Sequence, residues 1–427
     1  MSSTTNGVEP APTGSAAGEI EQLGIPAHLQ TFEPTLKAAF DRLEAVKPAS
    51  YARTRNALDG AVTGLSPYFT HGMLGLEEAA NFINRRHALS FEDKLVFEFG
   101  WREFFQHVWR TAAKGGDAIL DDMHGSPPSR GAYLDPLPQD IREARTGVPA
   151  IDAAVRTLYA TGYLHNHARM WLASYVVHLR KVYWRAGADW MYGHLLDGDL
   201  ASNHLSWQWV AGTFSSKPYI FNADNVLKFA PAAARNAWSS PQTVIDQSYE
   251  ALDAMARSGR AAGPERGQHA GMAEPALLGS VLASFMPLAQ AERAQLAIKN
   301  IANRSVELIH PWSLSPRAGD AARLGVIHLP AHAAWPWSER RWRFVLGAMR
   351  EVTDAIWIGD LHQLDLPGAR DVSAQATPFP GYRDALAAIA RLTPQPLLFP
   401  EPPMACRSFS KFYGRVQRDV GQFADLL

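Results

Sequence analysis

The stretch that decides the fold is Gly162-Tyr163-Leu164-His165-Asn166-His167-Ala168-Arg169-Met170, which is followed by Leu196-Asp197-Gly198-Asp199-Leu200-Ala201-Ser202-Asn203 and by Ser206-Trp207-Gln208-Trp209. These segments set amides, a guanidinium, carboxylates and indoles into apolar sequence with helical spacing. Buried polar groups cost several kcal/mol unless they find partners. Their concentration therefore predicts a large polar ligand inside a helical fold.

The composition is that of a globular protein with room for two domains. The chain has 427 residues, of which 47% are hydrophobic and 19% charged, and its 13 tryptophans need large cores or a specific use for indoles. A net charge of -1 means that any binding of nucleic acid depends on a local basic patch. The lone Cys406 excludes an internal disulfide, and no apolar run reaches membrane-spanning length. We expect a monomeric cytoplasmic protein without membrane association.

The organisation along the chain changes near its middle. Residues 1–26 are rich in Ser, Thr, Gly, Pro and Ala and predict a flexible tail. Apolar residues at helical spacing predict an all-helical domain over 27–255, without a convincing strand. Gly, Ala, Arg and Pro dominate 256–275, which predicts an exposed linker, and 276–427 predict a small α/β domain.

The α/β prediction rests on short β-prone runs that alternate with amphipathic segments. Such alternation is typical of a mainly parallel sheet covered by helices. The predicted strands are 306–309, 326–329, 355–358 and 397–399, and the predicted helices are 276–300, 339–353 and 382–392.

Six pieces of the helical half, in order, match one family. They are Tyr51 with Arg55; Thr63-Gly64-Leu65-Ser66-Pro67-Tyr68; Glu98 with Trp101-Arg102-Glu103-Phe104; Thr146-Gly147-Val148-Pro149-Ala150-Ile151-Asp152-Ala153-Ala154; His165-Asn166 with Arg169-Met170; and Asp197-Gly198-Asp199 through Trp209. Over roughly residues 45 to 230 the chain resembles the FAD-binding domain of the DNA photolyase and cryptochrome family. The resemblance implies an all-helical bundle that holds FAD in a folded conformation.

The resemblance implies two groups of cofactor-binding residues. Around the diphosphate and ribose it places Tyr51, Thr63, Gly64, Leu65, Ser66 and Arg102, with Gly64 offering a backbone N–H where the family usually has a hydroxyl. Around the isoalloxazine and ribitol it places Asn166, Arg169, Asp197, Asp199 and Asn203. Asn203 would face flavin N5, where an amide cannot supply a proton and so favours an electron-rich, anionic reduced flavin.

The resemblance also implies a route for electrons through buried indoles. Trp207 matches the member next to the flavin, and Trp184 matches the middle member, for which simple core packing is an equal alternative. No Trp occurs between Trp109 and Trp171, where the outer member belongs, and Tyr133 is the nearest aromatic residue. Photoreduction could therefore use a tyrosine, take another exit or be slow.

The substrate implied by the family is a cyclobutane pyrimidine dimer flipped out of UV-damaged DNA. The positions that would line its cavity are Glu98, Trp101, Asn166, Met170 and Trp209. Glu98 would hydrogen-bond the pyrimidine edge, while the indoles and Met170 would supply apolar walls. Phosphate contacts along the rim would come from Arg55, Arg53, Arg85 and Arg86, although surface arginines are often merely solvated.

Other titratable residues favour plainer interpretations. Asp152 and Glu103 are typical of helix-surface or capping positions. His165 and His167 suggest a metal, but residues two apart do not share a helix face, and no third ligand is evident. We predict no metal site.

We expect that the family's usual first α/β domain, which often holds an antenna pigment, does not precede the flavin domain. The run Ser338-Glu339-Arg340-Arg341-Trp342-Arg343-Phe344-Val345-Leu346 is similar to a helix of that domain, and Ser408-Phe409-Ser410-Lys411-Phe412-Tyr413 is similar to the segment leaving it. The C-terminal α/β unit could be a reduced, relocated antenna domain or a cap on the flavin domain, so a second chromophore stays open.

The function implied is light-driven repair of cyclobutane pyrimidine dimers, a lyase reaction driven by an electron from photoexcited reduced FAD. The main alternative is a cryptochrome-like blue-light photoreceptor that signals through a protein partner. A flavin-binding relic that does not respond to light is a third possibility.

Overall fold

A computed structural model of the protein describes residues 16–112, 117–126, 128–265, 269–281, 283–285, 294–295, 297–298 and 300–427. Its first half is built from helices. They are α1 Ala16–Gln22, α2 Ala27–Gln30, α3 Leu36–Glu44, α4 Pro48–Thr54, α5 Ser66–Thr70, α6 Leu76–His87, α7 Lys94–Thr111, α8 Gln139–Arg142, α9 Pro149–Thr161, α10 Asn166–Ser174, α11 Trp184–His194, α12 Leu200–Ala211, α13 Ala223–Phe229, α14 Arg235–Trp238 and α15 Tyr249–Arg257.

Local sequence accounts for how these helices begin and end. Thr35, Asp199 and Asn222 cap α3, α12 and α13 by accepting a backbone N–H with their side chains. Gly162 and Gly212 end α9 and α12 in the left-handed conformation that glycine adopts readily. Among the described residues of 27–255 the only strand-like feature is an isolated bridge, so the prediction of a helical half is confirmed.

The C-terminal half contains a parallel sheet. Its strands and helices are β1 Leu277–Leu278, β2 Ser305–Ile309, β3 Ala322–His328, α16 Leu329–Ala334, β4 Trp337–Ser338, α17 Glu339–Val352, β5 Ala355–Gly359, β6 Asp371–Gln375, α18 Tyr382–Ile389, β7 Arg391–Thr393 and α19 Phe409–Val420. The order in the sheet is β5-β3-β2-β6-β7, and every pairing is parallel. The predicted α/β architecture is confirmed. The predicted strands 306–309 and 355–358 lie within β2 and β5, and 326–329 overlaps β3, which ends at His328.

The fourth predicted strand, 397–399, is wrong. The backbone N–H groups of Leu398 and Phe399 lie 2.7 and 2.9 Å from the two carboxylate oxygens of Glu103, and they donate to this side chain instead of to a neighbouring strand. The sheet is completed by β6 and β7, which the sequence analysis missed because their residues are mostly polar. The predicted helix 382–392 accordingly ends at Ile389.

The predicted flexible tail does not extend to residue 26. Helix α1 begins at Ala16, and Ile20, Leu23 and Ile25 are buried in the core of the helical half. The indole N–H of Trp238 donates to the carbonyl of Leu23 over 3.0 Å. Residues 16–26 are therefore part of the fold, while 1–15 lie outside the described residues.

The predicted linker and the helix expected after it also differ from the structure. Glu274, near the end of the predicted linker, forms an ion pair with Arg142 of α8 at 2.9 Å. The predicted helix 276–300 begins instead with β1, which pairs antiparallel with β4. Much of 282–299 lies outside the described residues.

Two hydrophobic cores hold the described residues together. One core is formed by Leu58 and by side chains between residues 20 and 29 and between 137 and 252. The other joins α3, α6 and α7 to the parallel sheet and to α19. The second core crosses the domain boundary drawn from sequence, so the two halves share buried apolar surface.

No helix within the described residues combines the length and the apolar character needed to cross a lipid bilayer.

Candidate functional site

A cavity of about 270 Å³ lies between α7, α10 and α12. Each of these helices turns one face toward it, because residues three, four and seven apart share a face. The faces are Glu98, Trp101, Arg102 and Phe105 on α7; Asn166, Arg169, Met170 and Ala173 on α10; and Ser202, Asn203, Ser206 and Val210 on α12. Ser66, Tyr163, Leu164, Met191, Asp197, Asp199 and Trp207 complete the lining.

Asp197 is the centre of one polar cluster in this cavity. Its carboxylate oxygens accept two contacts from Arg169 Nη2, at 2.9 and 2.8 Å, and one from the Ser66 hydroxyl at 2.6 Å. The Asp197 side chain is almost fully buried, so its charge requires such partners. These contacts join α5, α10 and the loop before α12 in one wall of the cavity.

Asp199 caps α12 and faces the same cavity. Its Oδ1 accepts the backbone N–H of Ser202 at 2.7 Å, and its Oδ2 accepts the side-chain amide of Gln106 at 2.7 Å. These contacts hold the carboxylate in a single orientation beside Arg102, which lines the same cavity and donates to the Thr70 hydroxyl over 3.2 Å.

Asn203 and Ser202 provide polar atoms for a ligand. The Asn203 amide nitrogen donates to the carbonyl of Ala188 over 2.8 Å, which fixes the orientation of the amide group in the cavity wall. The Ser202 hydroxyl is buried and has no hydrogen-bond partner. An unpaired buried hydroxyl is costly, so this atom marks a place where a bound polar group fits.

A second cavity of about 250 Å³ shares Arg102 and Asp199 with the first. It extends to His310 and Gln375, at the carboxyl ends of the neighbouring strands β2 and β6. The guanidinium of Arg102 and the carboxylate of Asp199 thus line both cavities.

Glu98 lies at the mouth of the first cavity. Its Oε1 is 3.0 Å from Nη1 of Arg55, and the side chain is 37% exposed. Desolvation by the surrounding protein raises the pKa of Glu98, and the charge of Arg55 opposes this shift. The residue predicted to bind the substrate and a residue predicted to contact phosphates are therefore partners here.

The predicted diphosphate segment is divided between two cavities. Ser66, the first residue of α5, lines the first cavity. Thr63 instead lines a separate cavity, which is also lined by Arg42. Gly64 has a positive φ of 62°, and a Cβ atom there would lie 2.6 Å from Nη1 of Arg42. Leu65 is buried.

Tyr51 on α4 lies close to the charges at the mouth of the cavity. Burial raises the pKa of Tyr51 strongly, and the charge of Glu98 adds to this shift. The phenol therefore stays protonated and can act as a hydrogen-bond donor.

The apolar residues predicted to contact a substrate are only partly brought together. Trp101 and Met170 line the cavity, and Trp101 is backed by Phe409 of α19 in a stack with ring centroids 4.1 Å apart. Trp209 instead packs on Tyr219, with centroids 5.8 Å apart, and is not one of the residues that line the cavity.

The predicted electron route begins in the cavity wall. Trp207 lines the cavity, and its ring lies against Gly187, where an added Cβ would be 2.4 Å from the indole. Trp184 is one helical turn before Gly187 on α11 and is 1% exposed. Tyr133 lies with Trp184 in a surface groove of about 310 Å³.

Glu103 and Asp152 are buried, so the helix-surface interpretation is wrong for both. Glu103 accepts the two N–H groups of 398–399, and burial raises its pKa to about 7. Asp152 accepts the backbone N–H and the hydroxyl of Thr146, both at 2.8 Å, which is a capping role in the first turn of α9.

His165 caps α10 by accepting the N–H of His167 over 3.1 Å. Across the part of the chain that the structure describes, no group of three or more His, Cys, Asp or Glu side chains is arranged to hold a metal ion. The hypothesis of a histidine metal site thus finds no further ligands among these residues.

Several residues of the site are not among those predicted from the sequence. Ser202 and Gln106 could have been found by helical spacing, because they lie three residues after Asp199 and four after Arg102. Arg341, from α17, could not have been found by helical spacing. It is fully buried, and it donates to the carbonyls of Tyr192 and Gly198 at 2.7 and 2.6 Å.

Comparisons with known proteins indicate which proteins this chain is similar to. The family described as the FAD binding domain of DNA photolyase matches residues 95–236. A deoxyribodipyrimidine photo-lyase of Synechococcus is 34% identical over 217 residues, which are 47% of this chain and 44% of that protein. A chloroplastic/mitochondrial cryptochrome DASH of Ostreococcus tauri is 33% identical over 198 residues, 44% of this chain and 36% of that protein.

A crystal structure of a Synechocystis cryptochrome has a TM-score of 0.40 and 25% identity, covering 48% of this chain and 45% of that one. The chain spans about half the length of the curated relatives it matches.

The residues present fit FAD. Arg102 and Ser66 can donate hydrogen bonds to phosphate oxygens, and Asp197 and Asp199 can accept them from hydroxyl groups or from a ring N–H. The buried Ser202 hydroxyl, which has no hydrogen-bond partner in the protein, can bond to a polar atom of the cofactor. With the matched segment, these side chains lead to one conclusion: residues 95–236 form a FAD-binding domain of the kind described for DNA photolyase, and FAD is the cofactor.

Proposed function

We propose that this protein is a light-driven DNA lyase that splits cyclobutane pyrimidine dimers. The observation that carries the proposal is the shared cavity. Glu98, Trp101 and Met170, the side chains suited to a flipped pyrimidine dimer, line the same space as Asp197 and Asn203, which are suited to the flavin. Such proximity is what electron transfer between a cofactor and a substrate requires.

Glu98 would bind the substrate. Its raised pKa increases the share of the neutral carboxyl form, which can donate a hydrogen bond to a pyrimidine carbonyl as well as accept one from its N–H. Arg55 holds the carboxyl at the mouth of the cavity and could turn toward a DNA phosphate when a dimer enters. Trp101, backed by Phe409, would provide a flat apolar wall.

Bound reduced FAD would supply the electron after it absorbs light. Asn203 would not supply a proton to the reactive edge of the ring, because an amide does not release a proton. Asp197 would hold the ring edge through hydrogen bonds while Arg169 balances its charge at 2.8 Å.

We also propose that the C-terminal α/β unit caps the flavin domain. Support comes from Arg341, which reaches from α17 to the carbonyl of Gly198 between the two carboxylates of the site. Glu103 adds a second tie to the C-terminal half through Leu398 and Phe399. The monomeric state stays a prediction.

The experiment is a repair assay with the full-length protein, loaded with FAD and chemically reduced. UV-damaged oligothymidylate is incubated with it under blue light and in the dark, and the remaining dimers are measured. We expect loss of dimers only in the light. Unchanged dimers in the light, with flavin bound and reduced, would contradict the repair function.

Two variants sharpen this test. Glu98→Gln keeps a hydrogen-bonding group of similar size, whereas Glu98→Ala removes it. Removing an interaction made to the reacting group typically costs a factor of roughly 10²–10³ in rate, and we expect the larger loss for Glu98→Ala. Both variants should retain FAD, and loss of FAD would show that Glu98 holds the cofactor instead.

A blue-light photoreceptor is the second candidate. It is favoured by the 33% identity to a cryptochrome DASH and by the connection from Trp207 toward the surface through Trp184. Light-dependent flavin reduction without any loss of dimers would support this function.

A further inference from the structure

Two neighbouring aromatic residues, Tyr183 and Trp184, share one carboxylate. The Trp184 indole N–H donates to Oδ1 of Asp122 over 2.6 Å, and the Tyr183 hydroxyl donates to the same oxygen over 3.0 Å. The two ring centroids are 5.5 Å apart. An oxidisable pair is thus connected to a single proton acceptor.

Trp184 also leads inward to the flavin cavity. Gly187, three residues later on α11, is in contact with the ring of Trp207, and Trp207 lines the cavity. A rise of about 1.5 Å per residue places Trp184 and Gly187 on successive turns, roughly 4.5 Å apart along the helix axis. Both indoles are buried, so an electron can move between them without crossing solvent.

Tyr183 lies at the outer end of this route. It is half-buried and lines a surface groove of about 310 Å³ with Asp122 and Arg130. Asp122 itself is exposed, so a proton that it accepts can pass to water. The groove therefore gives both an electron and a proton access to solvent.

The charges around Tyr183 favour one form of oxidation. The guanidinium carbon of Arg130 lies 3.9 Å from the centre of the Tyr183 ring, and a positive charge there disfavours a cationic tyrosine radical. Burial and the nearby Asp122 raise the pKa of Tyr183 to about 12, so the residue starts as a phenol. Loss of the electron must then be accompanied by loss of the phenolic proton.

We propose that Tyr183 is the terminal electron donor of the route from Trp184 to Trp207, and that Asp122 accepts its proton. Oxidised Trp184 takes one electron from Tyr183, the phenolic O–H bond breaks, and the proton moves to the Asp122 carboxylate. A neutral tyrosyl radical remains at the surface. The oxidising equivalent comes from photoexcited oxidised FAD, which gains the electron, so this inference rests on the proposed light-driven function.

Tyr133, which the sequence favoured for the outer position, lines the same groove. Its pKa is raised to about 12 by burial and by Asp122, so it too is a phenol. The shared hydrogen-bond acceptor and the ring contact favour Tyr183, which makes Tyr133 a matched control.

The experiment uses the full chain loaded with oxidised FAD, without DNA, in four forms: wild type, Tyr183→Phe, Asp122→Asn and Tyr133→Phe. After a blue flash, time-resolved absorption follows the tryptophan and tyrosyl radicals. Electron paramagnetic resonance, with unlabelled and ring-deuterated tyrosine, identifies the tyrosyl radical independently of repair activity.

We expect a tyrosyl radical in the wild type and in Tyr133→Phe, and none in Tyr183→Phe, where the tryptophan radical should instead return its charge to the flavin. Since a positioned proton acceptor contributes about 10²–10⁴-fold to rate, Asp122→Asn should slow tyrosyl formation by about 100-fold or more. A tyrosyl radical that persists in Tyr183→Phe but disappears in Tyr133→Phe would overturn the proposal, as would unchanged kinetics in Asp122→Asn.

Failure of the inference can be told apart from failure of the proposed function. Repair by chemically reduced wild-type protein does not need this route, so that assay tests the function alone. Repair without a tyrosyl radical at position 183 overturns only the electron route, and a Tyr183 radical without repair supports the route and favours the photoreceptor.

Discussion

Arg341 and Gly198 join the two halves of the protein at the flavin site. Nη2 of Arg341 lies 2.6 Å from the carbonyl oxygen of Gly198, and a Cβ atom at Gly198 would lie only 2.4 Å from Nη1 of the same guanidinium. Gly198 separates the two carboxylates of the cavity, Asp197 and Asp199. The C-terminal half therefore sets the geometry of the turn that carries both acids.

Replacing Arg341 by methionine should loosen this turn. The change leaves two buried carbonyl oxygens without their donor, and each unsatisfied buried group costs about 1–3 kcal/mol. We expect the free energy of unfolding, measured in urea, to fall by roughly 3 kcal/mol, and FAD to bind more weakly.

The matched control is Arg343→Met on the same helix. Arg343 pairs with Glu339 on the surface, with side chains 63% and 50% exposed. Exposed pairs contribute about 0–1 kcal/mol, so this variant should unfold almost like the wild type. Equal destabilisation by both variants would contradict a specific role for Arg341.

Glu103 should make stability depend on pH. Burial raises its pKa to about 7, so between about pH 4.5 and 7 the folded state holds a proton that the unfolded chain has already lost. The contribution of Glu103 to the free energy of unfolding is thus fully present at low pH. It is lost as the pH rises from about 4.5 to 7, and the loss amounts to up to about 3 kcal/mol.

The measurement compares urea unfolding of wild type and Glu103→Gln at pH 5 and pH 8. The free energy of unfolding of the wild type should fall relative to that of the variant between these two values. Exposed Glu92→Gln serves as the control, which should follow the wild type. Parallel changes in wild type and Glu103→Gln would show that Glu103 is already ionised throughout.

Ser202→Ala tests the fit of the cavity to its cofactor. Without FAD the Ser202 hydroxyl is a buried group with no partner, so its removal should leave the stability of the flavin-free protein unchanged or slightly raised. With FAD the lost hydrogen bond should cost about 1 kcal/mol, which is roughly a fivefold weaker affinity. Titration followed by flavin fluorescence measures it, and an unchanged affinity would mean that the hydroxyl does not contact FAD.

Gly187→Ala should destabilise the protein, although alanine normally favours a helix over glycine by about 1 kcal/mol. The added methyl group would lie 2.4 Å from the Trp207 ring, and overpacking of this kind costs about 1–3 kcal/mol. Gly131→Ala is the control, because no atom beyond its chain neighbours lies within 4 Å of its added Cβ. Thermal unfolding measures both changes, and a rise in melting temperature for Gly187→Ala would contradict the observed contact.

Many residues that line the cavity could be predicted from sequence, because the resemblance to the photolyase and cryptochrome family identifies them and their helical spacing puts them on shared faces. Asn166, Arg169 and Met170 share one face of α10, and Glu98, Trp101 and Arg102 share one face of α7, so their motifs place them together. Trp209 and Thr63 belong to two other motifs of the same resemblance, but the structure places Trp209 against Tyr219 and Thr63 in another cavity. A motif gives the face of a helix, whereas the neighbours of that face depend on packing.

The sequence by itself determined the helical character of the first half, the parallel sheet of the second and the three helix faces that meet in the cavity. The first two follow from apolar period and local capping, which act within a few residues, and the helix faces follow from the motifs of the family resemblance. Only the tertiary structure decided that Glu103 accepts the backbone N–H groups of 398–399 and that Arg341 donates to the carbonyl of Gly198. Such contacts join residues more than a hundred positions apart, and a buried charge takes whichever partner the folded chain brings within hydrogen-bonding distance.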